Sequence, residues 1–279
     1  MKKLFQIYTY PRLLYLFIGI VFTLTISPLE NYFSNFSSLK YLIPILIVLV
    51  IIIIVVEVKK KKHIKVNFSF NLARTESEKR TYAKKGIIVF VSLFDPRGSK
   101  AEGLSLVERE NAAKNLDYRI LDIENSNLRP TIEAINCHKT KIKHCWLIGT
   151  FDTKKKKGSV TYQDVFIEYL KKEKSINCDF HYGQDYAIPL DDDALICKKT
   201  YEILKKIFEE TSSLGLECKD IIADYTSGIR SMAAGMILSC LHSDNDIQLM
   251  GTKYNDLAKP EGELFPIYIS FEPELKVHE

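Results

Sequence analysis

The six cysteines, Cys137, Cys145, Cys178, Cys197, Cys218 and Cys240, include no CxxC pair. In a chain of 279 residues they read as buried, reduced thiols rather than a disulfide framework. Charge of one sign is also scarce. The net charge is only +4, and eight of the lysines are held in two runs, Lys59–Lys62 and Lys154–Lys157. That excludes the broad basic footprint of a duplex-DNA binder. A Walker A loop is missing, and so is G-x-G-x-x-G. A nucleophile elbow is missing too. Ser227 has Tyr225 where the elbow glycine belongs, and the only later histidines are His242 and His278. These absences argue against a serine hydrolase. One set of soft ligands remains, Cys137-His138 with His144-Cys145, a composition that zinc can use. Cys145 opens the apolar run Cys145–Ile148, however, where alternate side chains point to opposite faces. Packed thiols and surface histidines are the favoured reading, and no metal site is assigned.

Apolar residues are abundant but uneven. Leu13–Leu29 is apolar apart from small hydroxyls and Pro28, and Tyr41–Val56 contains LIPILIVLVIIIIVV. Joined to Val58, the second run is long enough to cross a bilayer, while the first is near the lower limit. No small-residue cleavage site follows the first run, which argues against a signal peptide. Lys2, Lys3 and Arg12 precede the first run and four lysines follow the second. By the positive-inside rule this predicts a transmembrane hairpin over residues 1–58, in the inner membrane, with both termini cytoplasmic. The lysine run also suits an anionic lipid surface. Within Leu13–Leu29 and Tyr41–Val56 no residue is charged, so neither run marks an ion pathway.

Residues 59–83 read as a charged, polar linker with a short strand around His63–Phe68. From residue 84 to 279 the pattern is that of an α/β domain. Ile87–Val91 is a continuous β-branched and aromatic run, as in a strand covered on both faces. Tyr118–Leu121, Cys145–Ile148, Ile221–Tyr225 and Ile247–Met250 read as further strands. Helical spacing lies between them, as at Cys197, Tyr201, Leu204 and Phe208 after the acids Asp191–Asp193. Alternating strands and helices imply a mainly parallel sheet with helices on both sides. Phe265–Ile269 reads as a late strand, placed at an edge by Pro266.

In open α/β sheets ligands bind at the carboxyl ends of strands. Three loops therefore matter: Ser92-Leu93, Gly149-Thr150-Phe151, and Asp224-Tyr225-Thr226-Ser227-Gly228. A helix beginning near Ile229 would present unpaired N–H groups and a positive dipole end. Gly228 permits close approach, Thr226 and Ser227 can donate hydrogen bonds, and Arg230 and Lys253 add charge. That set suits a phosphate or another anion. The competing structural reading has Thr226 and Ser227 capping the helix while Ala233, Ala234 and Gly235 let it pack closely.

The stretch Asp224–Met232, DYTSGIRSM, resembles the D-x-T-G-G-T-K-x-M signature of CARF (CRISPR-associated Rossmann fold) domains. Asp224, Thr226, Gly228 and Met232 match, and Arg230 stands where lysine is common. Ser227 and Ile229 depart, and ligand preference is expected to be decided there. Trp146-Leu147-Ile148-Gly149-Thr150 is similar to the middle of such domains. The resemblance implies a Rossmann-like fold and pairing as a homodimer or higher homo-oligomer. It also implies a cyclic oligoadenylate ligand from type III CRISPR signalling, cyclic tetra-adenylate being the first choice. By the resemblance Ser92, Thr150, Thr226, Ser227, Gly228 and Arg230 contact that ligand. The hairpin and the lipid bilayer would then supply the output of an antiviral membrane effector. Two alternatives stay open: a membrane-tethered ring nuclease that degrades the ligand, and a SAVED-like effector of a cyclic-oligonucleotide (CBASS) system. No catalytic residue and no cofactor are assigned.

Overall fold

The computed structural model describes residues 50, 63–152, 154, 158–257 and 259–276. The two apolar runs (apart from Val50) and Lys59–Lys62 fall outside them, so the hairpin expected at 1–58 does too. Among the described residues no helix is long and apolar enough to cross a membrane. Lys65–Glu274 forms one compact unit, and Met1–Ile64 with Leu275–Glu279 belongs to another. Only the first is described below.

It is a mixed α/β unit. Eight strands form its sheet: β1 His63–Leu72, β2 Gly86–Phe90, β3 His144–Phe151, β4 Asp179–His181, β5 Ala187–Pro189, β6 Ile221–Asp224, β7 Asp246–Tyr254 and β8 Pro260–Lys276. The helices are α1 Glu76–Tyr82, α2 Leu106–Lys114, α3 Tyr118–Leu121, α4 Arg129–Asn136, α5 Gln163–Lys172, α6 Asp193–Ser213 and α7 Arg230–Ser243. Strand order is β1-β8-β7-β6-β2-β3-β4, with β5 also pairing β3. Every pairing among β2 to β7 is parallel, and β7 pairs β8 antiparallel.

Alternate side chains of the central strand build two cores. Ile87, Val89 and Val91 pack with Ile132 and Ile135 of α4 and Val165, Phe166 and Leu170 of α5. Ile88 and Phe90 pack with Trp146, with Ile196, Leu204 and Ile207 of α6, and with Met232 and Met236 of α7. Each buried Ile or Phe is worth about 1.5–3 kcal/mol, so the doubly covered β2 anchors the sheet. From β2 the chain builds β3 and β4 on one side, then returns to add β6 and β7 on the other. The strand order therefore reverses between β2 and β6, and the crevice at the carboxyl ends of those two strands is a switch point.

Three expectations are corrected. Tyr118–Leu121 is a helical turn, not a strand. The Asp117 carboxylate accepts from the Ile120 amide at 3.1 Å, and Leu121 is fully buried while Ile120 is half exposed. Burial at a spacing of three, with Tyr118 packed on the same core, overrode the alternation. Second, β8 is not an edge strand, because it lies between β7 and β1. Pro266 is tolerated there for a local reason. Its carbonyl accepts from Ala73 N at 3.2 Å, so its absent N–H faces the side on which β1 has just ended. Third, His138 is not a surface histidine. It is fully buried.

Residues 59–83, read as a polar linker, contain β1 and α1. The latter is closed by a Thr75–Glu78 capping box, and its last residue, Tyr82, stacks on Tyr268 of β8 with ring centroids 4.8 Å apart. Capping of this kind satisfies two backbone donors at once and fixes where a short helix begins.

Candidate functional site

The turn after β6 is built from the inside outwards. Asp224 is buried, with 1% of its surface exposed. Its carboxylate accepts from Thr226 N at 2.9 Å and from the Thr226 hydroxyl at 3.0 Å. Burial pushes its pKa up to about 6, against the pull of those donors and of the Gln248 side chain. The Thr226 hydroxyl in turn accepts from Met250 N at 2.7 Å. Its one proton is committed to Asp224, so it has none left to donate outwards.

Ser227 is turned inwards as well. It is 9% exposed, and its hydroxyl lies 2.7 Å from that of Thr131, which reaches the Phe90 carbonyl at 3.4 Å. Only one proton order satisfies both contacts: Thr131 donates to the carbonyl and Ser227 donates to Thr131. Gly228 sits at φ +92°, and a Cβ there would meet the Phe90 ring at 3.0 Å. That left-handed conformation favours glycine.

Beyond Gly228 the surface opens. Ile229 is the N-cap of α7, with no side chain capping the helix. Ile229 is 44% exposed, Gly228 and Arg230 are exposed, and Arg230 has no ion-pair partner among the described residues. An uncapped first turn leaves backbone N–H groups facing outwards at the positive end of the helix dipole. Ser92, from the end of β2, accepts from Gly228 N at 3.4 Å. Among the described residues no acceptor takes its own proton. Leu93 beside it is 58% exposed, while its carbonyl is held by Asn127 Nδ2 at 2.8 Å. The β2 loop and the α7 N-terminus thus meet at the switch point.

The other expected residues have different places. Gly149 is a packing glycine, since an added Cβ would come within 2.7 Å of Val160 and 2.9 Å of Gln163. Thr150 is 8% exposed, and both its amide and its hydroxyl engage the Ser159 hydroxyl, at 2.8 and 3.3 Å. Phe151, half-buried, ends β3. The Lys253 ammonium lies 3.5 Å from Glu263 on the β7–β8 ribbon. The structure therefore separates two sets. Ser92, Leu93, Gly228 and Arg230 are open to a ligand, whereas Asp224, Thr226, Ser227 and Thr150 form the scaffold beneath and beside them.

Sequence reading gave no role to Thr131 or Gln248, and placed His138 at the surface. Gln248 and Thr131 are fully buried, and a single polar residue inside an apolar run was the available signal for Gln248. The soft-ligand set is dispersed as well. His138 accepts from Lys84 N at 2.9 Å through Nδ1 and meets Gln248 at 2.8 Å through Nε2, whereas His144 lies against His181 with nitrogens 3.2 Å apart. Among the described residues no group of three or more His, Cys, Asp or Glu side chains is arranged to hold a metal ion.

No family model matches the chain, and no curated protein does. A solved structure described as that of a CDPS from Fluoribacter dumoffii aligns with 14% identity over 76% of this chain and 100% of that one. Its TM-score is 0.21, a likeness that carries no argument about fold or function.

Proposed function

We propose that this chain is a membrane-anchored sensor of a cyclic oligoadenylate, with a Rossmann-like CARF domain as the receiver. The observation that carries the reading is the uncapped N-terminus of α7 at the switch point, where exposed Gly228 and Arg230 stand beside Ser92. Outward N–H groups, a positive dipole end, a free guanidinium and a hydroxyl with its proton uncommitted suit a phosphodiester. Arg230 pairs with a phosphate oxygen, and Ser92 donates to a phosphate or ribose oxygen. The exposed Ile229 and Leu93 offer apolar surface to a base.

In this reading two receivers close on one ring, and their rearrangement acts on the hairpin expected at residues 1–58. The ring must bind one arrangement more tightly than the other, because equal affinity shifts nothing. The full chain in detergent micelles, titrated with cyclic tri-, tetra- and hexa-adenylate in a calorimeter, tests it. Saturable heat with one ring size is expected, and no heat with any of them defeats the reading. Chromatography of the nucleotide afterwards separates a sensor, which returns the ring intact, from a ring nuclease, which releases linear product. Leakage of ligand-treated proteoliposomes tests the output.

A further inference from the structure

A line of buried polar groups runs from the turn after β6 to the start of β2, and its proton order can be worked out. Lys84 N–H donates to His138 Nδ1 at 2.9 Å, so Nδ1 is unprotonated. Burial holds the His138 pKa down to about 4, so the neutral ring carries its one proton on Nε2. That proton is donated to Gln248 Oε1 at 2.8 Å. With its oxygen accepting, the Gln248 amide nitrogen has two protons to give. One goes to the Ala134 carbonyl of α4 at 3.2 Å, and the side chain stands beside Asp224, its register partner on the neighbouring strand β6, buried with it. Each group leaves the next with a single orientation. His138 and Gln248 are both fully buried, so water does not compete.

We infer that Gln248 is a positioning residue for the turn Asp224–Gly228, and that His138 acts through it by fixing which end of the amide faces Asp224. With the amide reversed, its oxygen would face both Asp224 and the Ala134 carbonyl, an arrangement of acceptors without a proton between them. The His138 proton forbids that arrangement. Asp224, held from behind, orients Thr226, and Thr226 bridges to Met250 of β7. The placement of Gly228 and of the α7 N-terminus follows from that frame. The consequence for a ligand rests on the sensor reading, but the positioning itself does not.

The test follows Asp224 directly in the full chain in micelles, with aspartate carboxyl carbons labelled with carbon-13. Cys137, Tyr225 and Tyr268 feel the Asp224 charge. Burial pushes all three pKa values up, so they are neutral near pH 6. In Gln248→Met, a swap of similar shape, the Asp224 midpoint rises by about one pH unit, because a donor to the charged form is lost. A purely packing role would leave the midpoint where it is, which overturns the inference. Should the variant fail to fold, the wild type decides. Its Gln248 side-chain amide protons move with the Asp224 midpoint if the contact exists, and stay still if it does not. Cyclic tetra-adenylate affinity measured on Gln248→Met should fall about tenfold or more, as expected when a framework of buried hydrogen bonds is broken. A moved midpoint with undiminished affinity overturns the positioning role. A moved midpoint in a protein whose wild type binds no ring defeats the sensor reading and leaves the positioning intact.

Discussion

Thr226 is a strut between two strands. Its hydroxyl donates to Asp224 at the end of β6 and accepts from Met250 N of β7, at 3.0 and 2.7 Å. Thr226 therefore works inside the turn, where it sets the position of the groups that reach the surface.

Thr226→Val keeps the shape and removes both bonds. It leaves the Met250 amide without its partner and takes one donor from the buried carboxylate, so the loss should be about 2–3 kcal/mol. Thr226→Ser restores most of it. Chemical denaturation of the two variants against the wild type measures the difference.

Gly228→Ala should cost about 1–2 kcal/mol, since a Cβ must be carried at a left-handed φ. The extra atom also meets Phe90 at 3.0 Å, so the turn shifts and the Ser92 contact lengthens. Circular dichroism melts should show the loss, and under the proposed function calorimetry should show weaker binding of the ring.

Arg230→Ala should separate binding from folding. The side chain is exposed and has no ion-pair partner among the described residues, so stability should change by no more than about 0.5 kcal/mol. Under the proposed function, ring affinity falls at least about tenfold with loss of a charge-assisted pair. Equal affinity for the two proteins removes Arg230 from the site.

Asp224 and His138 act in opposite directions on acid stability. The Asp224 pKa lies above its ordinary 3.8, at about 6, so the folded state holds its proton more tightly and stability falls as pH rises from about 4 to 6. The His138 pKa lies below its ordinary 6.5, at about 4, so the unfolded state binds the proton first and stability rises over nearly the same window. Each shift of two units or more is worth roughly 3 kcal/mol, so in the wild type the two largely cancel. Replacing His138 by Gln removes one of them. Urea unfolding of that variant and of the wild type at pH 4.5 and 6.5 should show the variant gaining stability relative to the wild type at the lower pH.

Gly235→Val tests the contact between α6 and α7. A Cβ at Gly235 would come within 2.5 Å of the Cys197 carbonyl and 2.8 Å of Thr200. Forcing the helices apart should cost about 1–3 kcal/mol. The same substitution at exposed Ala234 should cost far less, only the lower helix propensity of a branched residue. Thermal melts of the two variants measure the difference.

The α/β class, the doubly covered β2 and the position of the turn at Asp224–Gly228 were determined by the sequence alone. Continuous β-branched runs, helical spacing and a glycine after Thr226-Ser227 are local signals, and the physics that reads them is local too. Tyr118–Leu121 was misread because four residues fit either period, and only packing against α5 selected the helix. Pro266 misled because a proline's missing donor matters only on the side where a neighbour asks for it, which depends on where β1 stops. The larger share of the site was decided by tertiary structure. Thr131 and Gln248 lie far in sequence from the turn they hold, and whether a hydroxyl such as that of Thr226 faces water or the interior depends on partners brought up by other strands. A buried polar group must find those partners within the fold. Which side chains of a polar motif remain free for a ligand is therefore settled by the groups packed behind it.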